Sequence, residues 1–247
     1  MIITSAQNAA LKSIKHLLSQ KKARTEANQF VIETEKQVAE YLTHFPQHIC
    51  SLYVQDDYLL SSPLNTENHT VYTIQKELFK QCHRAKTSAG ISAVVSAPTG
   101  TQLQPASQKK IWFLDNLSKP QNIGAVLRNA LAFNIDLVIM SPNCADATHP
   151  EAIRALTTCL HHIPLHVAPH TILKDLSKTH QLVALDSNET TPINKLPSTH
   201  CIIYGSETGL TEAIDTSLDI HKINIPINPK TDSLNVAACS AIIGYIS

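Results

Sequence analysis

Arg128 stands in PQNIGAVLRNALAF as the single charged side chain of an apolar stretch, six residues after Asn122. The rigid fork of a guanidinium suits a phosphate or carboxylate in bidentate geometry. A salt bridge or a snorkelling surface position would serve this helix equally well if it stood alone. A second group lies in IPINPKTDSLNVAACSAII, where Ser233, Leu234 and Asn235 mark the change from a polar loop to an apolar helix. Capping that helix is the bland explanation of Ser233. Asn235 is expected to set an amide near the core, where it needs partners from backbone or ligand. In a third stretch, YGSETGLT, Gly205 and Gly209 flank Glu207. Glycine there permits a sharp turn or a close approach of backbone to a ligand, although ordinary strand-to-helix turns use it too.

Several familiar sites are missing. No G-x-G-x-x-G follows a strand, and no G-x-x-x-x-G-K occurs, so a classical dinucleotide or P-loop site is not expected. G-x-S-x-G and H-E-x-x-H are absent too, against hydrolase and zinc-peptidase readings. The run HHIPLHVAPH holds His161, His162, His166 and His170 but no cysteine or carboxylate. It crosses a helix end, a strand and a loop, so its imidazoles would not converge without further folding, and no metal site is expected.

The elements that must position these residues are short. IWFLD, DLVIM, PLHVA, QLVALD, HCIIYG and HKINIP are apolar and rich in branched residues. Helical stretches near 122–133, 150–160, 170–178 and 233–245 interleave with them. Continuous apolar strands between helices indicate a parallel sheet covered on both faces, with ligands bound beyond the carboxyl ends of the strands. Ahead of this, Leu11, Ile14, Leu17 and Leu18 predict a helix within 5–24. QFVIET, ICSLYVQ, TVYTI and GISAVVSA read as strands, and EKQVAEYLTHF and KELFKQC as helices. The expected organisation is a small mixed α/β domain over 1–96, a linker over 97–109 rich in Pro, Gly, Ser, Thr and Gln, and an α/β domain over 110–247.

The apolar fraction of 43% supports a packed core in a chain of 247 residues, and aromatics at 5% argue against base stacking as the main device. A formal net charge of zero gives no global pull toward nucleic acid or membrane. Its distribution is uneven: residues 1–24 hold Lys12, Lys15, Lys21, Lys22 and Arg24 and no acid. That segment is either a solvated helix face or a phosphate-contacting arm. Six dispersed cysteines without a C-x-x-C pair fit a reducing interior. No signal-peptide pattern and no apolar run of membrane-spanning length is present, so a cytoplasmic protein is expected.

Taken in order, PQNIGAVLRNALAF, IIYGSETGL and IPINPKTDSLNVAACSAII resemble the three motifs of the SpoU (TrmH-like) RNA ribose methyltransferases of the SPOUT superfamily. The front, ITSAQNAALKSIKHLLSQKKARTEANQFVIETEKQV, is similar to the substrate-binding extension of the branch that includes ribosomal RNA enzymes. The resemblance implies a parallel sheet with a deep C-terminal trefoil knot, S-adenosylmethionine as cofactor, and a homodimer whose sites borrow residues from the neighbour. It implies methylation of a ribose 2′-hydroxyl in structured RNA, ribosomal RNA by preference, with transfer RNA as the alternative. Gly205, Ile225 and Leu234 would meet the cofactor. Asn122, Arg128, Glu207, Ser233 and Asn235 would surround the reacting centre, and Lys12, Lys21, Lys22, Arg24 and Arg128 would contact RNA. Because a guanidinium stays protonated, Arg128 is expected to grip a neighbouring phosphate and orient the hydroxyl, with the proton leaving to that phosphate or to water. A non-catalytic RNA-binding protein and a base-directed methyltransferase of the same superfamily are the other readings. The chain departs from the family pattern in several places. Thr208 alone separates Glu207 from Gly209, where one more residue is usual, and Lys119 stands where Asp is common. Thr34 replaces a usual Gly, and Thr157-Thr158-Cys159 replaces small types.

Overall fold

The computed structural model describes residues 2–59, 64–83, 90–100, 104, 107–186, 189, 196–206, 209–214 and 217–247. Glu207 and part of the expected linker lie outside the described residues. The chain divides into two compact units, residues 1–98 with 146–161 and residues 99–145 with 162–247.

The first unit opens with β1 (Ile2–Ile3), α1 (Ala9–Ser19), α2 (Lys21–Ala27), β2 (Gln29–Ile32) and α3 (Glu35–His44). It continues with β3 (Ile49–Gln55), β4 (Val71–Ile74), α4 (Lys76–Cys82) and β5 (Ile91–Ser96). Its mixed sheet runs β1-β4-β3-β5-β2, with β5 antiparallel to both neighbours. Leu11, Ile14, Leu17 and Leu18 of α1 are buried against Val31, Tyr53, Phe79 and Val94. Each such side chain contributes on the order of 2 kcal/mol relative to leaving it in water.

The single helix expected over 5–24 is two helices. Gln20 is extended at φ −126°, ψ 120°, just where the apolar spacing of α1 ends. The break lets α2 turn Arg24 inward, where the side chain is 3% exposed. Its guanidinium donates to the Leu17 carbonyl at 2.8 Å and meets the Asp146 carboxylate at 2.8 and 2.9 Å. Arg24 is therefore a buried structural group with a partner at each guanidinium nitrogen, and the expectation that it contacts RNA is corrected. Lys12, Lys21 and Lys22 remain exposed.

Burial pushes the Asp146 carboxyl up, but hydrogen bonds from Thr148 and Arg24 outweigh it and hold it below its ordinary 3.8. Stability from such a depressed carboxyl is complete above the unfolded value and is lost as pH falls through the folded one. Arg24→Ala should cost about 3 kcal/mol at neutral pH, because it strands a largely buried carboxylate. In urea titrations the gap to wild type should close as pH falls below 3.8. A gap independent of pH would assign the loss to packing instead.

The second unit begins with β6 (Lys110–Leu114), α5 (Pro120–Ala132) and β7 (Leu137–Met140). The chain then contributes α6 (Pro150–Leu156) to the first unit, where Gln37 of α3 donates to the Ile153 carbonyl at 3.0 Å. The second unit resumes with β8 (Leu165–Val167), α7 (Ile172–Leu176), β9 (Gln181–Leu185), β10 (His200–Tyr204), β11 (Ile220–Ile223) and α8 (Val236–Ile246). Its six strands run β11-β9-β10-β6-β7-β8, and every pairing is parallel. The parallel sheet expected from the apolar runs is thus present.

Successive strand residues face opposite sides. Ile111, Phe113, Leu182 and Ile203 form one core with Leu173 and Leu176 of α7. On the α5 side, Asn129 donates to the Ala237 carbonyl and to the buried Ser240 hydroxyl of α8, both at 2.8 Å. A Cβ on Gly244 would lie 2.3 Å from the Phe133 ring, so the two helices meet where a side chain is missing. Among the described residues no helix is long and apolar enough to cross a membrane.

Candidate functional site

A cavity of about 640 Å³ opens at the carboxyl ends of β6, β9, β10 and β11, within the second unit. Residues of β9, β10 and β11 and the loop after β6 line it, in the position where open parallel sheets bind ligands. Its size suits one nucleoside-sized molecule.

Three stretches of chain wall it. After β6, the loop is fixed before α5 begins. Asn116, at φ 51°, donates its N–H to the Ser141 hydroxyl at 2.9 Å, and Ser141 donates back to the Asn116 side-chain oxygen at 2.9 Å. Pro120 then starts α5 at a position where its missing N–H costs nothing. That places Lys119 and Asn122 on the cavity.

After β10, the loop closes on itself through a pair of backbone bonds between Ser206 and Gly209, at 3.1 and 2.9 Å. Gly209 sits at φ +95°, a region that disfavours side chains. A Cβ on Gly205 would lie 2.7 Å from the Gly209 carbonyl oxygen. Both glycines are therefore demanded by the turn and line the cavity directly.

The third wall runs from β11 to α8 and brings Ile225, Ser233, Leu234 and Asn235 to the cavity. Here two readings are corrected. Asn235, and not Ser233, caps α8, accepting from Ala237 N–H at 2.8 Å. The amide is also exposed at the rim instead of buried. Its free end donates to the Asn122 side-chain oxygen at 3.1 Å, so two side chains 113 residues apart join the first and third walls.

Asn122, Gly205, Ile225, Ser233, Leu234 and Asn235 thus meet at one cavity. Arg128 does not line it. It is exposed on α5, and among the described residues its guanidinium has no hydrogen-bond or ion-pair partner.

Some residues at the cavity were not anticipated. Asp186, at the end of β9, pairs with Lys222 of β11 at 3.1 Å, and both line the opening. Below the floor, Asp115 is fully buried at the end of β6 and receives Thr211 and His170. Each aspartate ends an apolar strand, IWFLD or QLVALD. An acid at the carboxyl end of a buried strand was the available signal. Burial raises the Tyr204 phenol and the Cys239 thiol, so both groups at the cavity stay neutral near pH 7. The histidine run is dispersed: His170 serves Asp115, while His161 bonds to the Tyr41 hydroxyl at 3.0 Å in the first unit.

Comparison with known proteins agrees with this geometry. The SpoU rRNA Methylase family matches residues 109–245, and the MRM3-like substrate binding domain matches residues 8–93. The 23S rRNA (guanosine(2553)-2′-O)-methyltransferase RlmP of Bacillus subtilis is 27% identical over 248 residues, covering 98% of this chain and 97% of that protein. A crystal structure of an RNA 2′-O ribose methyltransferase superposes with a TM-score of 0.82 at 25% identity, covering 99% of this chain and 97% of the other. The SpoU methyltransferase AviRb of Streptomyces viridochromogenes, in complex with the cofactor AdoMet, superposes with a TM-score of 0.81 at 22% identity, covering 96% of each chain.

Proposed function

The chain belongs to the SpoU rRNA methylase family, and from that premise we propose that it methylates a ribose 2′-hydroxyl of structured ribosomal RNA with S-adenosylmethionine as donor. The observation that carries this reading is the cavity itself. Two glycines bring backbone against the space where a nucleoside would lie, and a hydrogen-bonded amide pair, Asn122 with Asn235, closes its rim. The cofactor, when bound, supplies a methyl group already activated on a sulfonium.

The protein's own work is alignment and removal of a proton from the ribose hydroxyl. Gly205, Ile225 and Leu234 hold the donor largely through backbone groups. Asn122 and Asn235 lock the walls, and Ser233 presents a hydroxyl beside them. Glu207 keeps its proposed place in the second motif. Arg128 grips the phosphate next to the target ribose, and the hydroxyl proton leaves to that phosphate or to water.

Arg128 lies off the lining of its own chain's cavity, which fits a homodimer in which each site borrows residues from the neighbour. α8 supports the same assembly. It is apolar on nearly every side, yet it leaves Ile242 and Tyr245 exposed, and such helices are normally covered. The family's threaded C-terminal knot and a cytoplasmic setting belong to the same reading.

The first unit is the substrate-binding part, with Lys12, Lys21 and Lys22 as its phosphate arm. Reversing Lys21 and Lys22 to glutamate should weaken RNA binding regardless of sequence. The slope of log affinity against log salt should fall by roughly one for each phosphate that is no longer neutralised. An unchanged slope would return the arm to a solvated surface. The substrate class is tested by offering labelled donor with unmodified ribosomal RNA, transfer RNA and assembled ribosomal particles separately. Label in the ribosomal pools is expected; label in transfer RNA alone would overturn the ribosomal assignment.

A further inference from the structure

Asp115 is completely buried, and among the described residues no arginine or lysine pairs with it. Its carboxylate accepts the Thr211 backbone N–H at 2.7 Å on one oxygen. The other oxygen accepts the Thr211 hydroxyl at 3.0 Å and His170 Nε2 at 2.7 Å. Since a carboxylate accepts, that imidazole nitrogen carries a proton. The His170 ring also packs beside Phe113, with ring centroids 5.6 Å apart.

What Asp115 holds is the loop after β10. Its own N–H donates to the Tyr204 carbonyl at 2.8 Å, immediately before Gly205. Its side chain holds Thr211, immediately after Leu210. One residue therefore grips both ends of the segment whose Gly205, Ser206, Gly209 and Leu210 line the cavity. The segment is cinched between these anchors by the bonds between Ser206 and Gly209. Chain entropy favours many shapes for a surface loop, and anchoring both ends removes that freedom before a ligand arrives.

We propose that Asp115, His170 and Thr211 form a clamp that sets Gly205, Ser206, Gly209 and Leu210 in place for S-adenosylmethionine, His170 and Thr211 being positioning residues. This rests on the reading of the cavity as the cofactor site. None of the three residues lines that cavity, so the clamp acts only through the loop. It also gives His170 a purpose unrelated to metal.

The test is calorimetric affinity of the full chain for S-adenosylmethionine, together with KM for the donor and kcat on RNA. Thr211→Val keeps the N–H and removes the hydroxyl; His170→Leu removes the ring donor. Each should weaken the donor's Kd and KM about tenfold, as loss of one buried hydrogen bond implies, with kcat within about twofold of wild type. Thr211→Ser and His170→Gln, which restore a donor, should recover most of the affinity. If both depleted variants melt earlier but bind the donor as wild type does, the three residues are structural and the clamp is wrong. If wild type itself binds no donor, the cofactor reading falls and the clamp's purpose falls with it.

Discussion

Arg128→Ala should reduce kcat a hundredfold or more while S-adenosylmethionine affinity stays within about twofold of wild type, given what removing one preorganised charge-stabilising donor costs other enzymes. The guanidinium is exposed on α5 and makes no bond among the described residues. It therefore supports neither the fold nor the cavity wall, and its removal leaves no buried charge behind. On the proposed role, its absence is felt only when RNA presents a phosphate. Arg128→Lys should restore charge but not the bidentate fork, and should recover binding more than rate. Equal losses in donor affinity and in rate would instead place Arg128 in the cofactor site.

Gly205→Ala should weaken S-adenosylmethionine binding by at least about a hundredfold, through a different cause. The new Cβ would lie 2.7 Å from the Gly209 oxygen, 2.8 Å from its carbon and 3.1 Å from the Leu210 nitrogen. All three are backbone atoms, so no side chain can swing aside. Either the turn closed by Ser206 and Gly209 opens or β10 shifts at its end, and both change the cavity wall. Such backbone strain costs on the order of 1–3 kcal/mol, and poorer fit to the ligand adds to it. Calorimetry measures the loss, and circular dichroism shows whether the sheet survives. Donor binding at wild-type strength in a folded variant would show that this turn does not shape the site.

These two variants also test the shared site. If one chain's Arg128 serves its partner's cavity, co-assembled Arg128→Ala and Gly205→Ala chains contain one intact combination per dimer. A measurable part of the activity should return on mixing after partial unfolding and refolding. No return, with mixed dimers demonstrated, would put Arg128 to work in its own chain's cavity.

How much of this was legible before folding depends on range. The four inner strands of the parallel sheet were readable because burial on both faces leaves runs such as IWFLD and HCIIYG with no polar alternation. Gly205 and Gly209 stood out in a chain with only six glycines. Asn235 was recognisable as an amide with unmet needs and Asn122 through the family resemblance, but not as each other's partners, since 113 residues separate them. The same limit hid the clamp: Asp115 and Thr211 are 96 residues apart, and neither is unusual in its local sequence.

Local rules also misled. The capping preference for serine pointed to Ser233, but the loop entered α8 two residues later and Asn235 took the role. Charge clustering grouped Arg24 with Lys21 and Lys22, although a turn of helix after Gln20 sends it inward to Asp146. A periodicity count cannot see a break made by one extended residue.

The most direct measurement is the chemical position of the transferred methyl group. Ribosomal RNA lacking this modification would be incubated with the protein and S-adenosylmethionine carrying a labelled methyl, then digested to nucleosides and separated. The expected result is label in a 2′-O-methylated nucleoside, with the phosphodiester on its 3′ side resistant to alkali, and none with Arg128→Ala. Label on a base, or undiminished transfer by the Arg128 variant, would contradict the assignment of this cavity to ribose methylation.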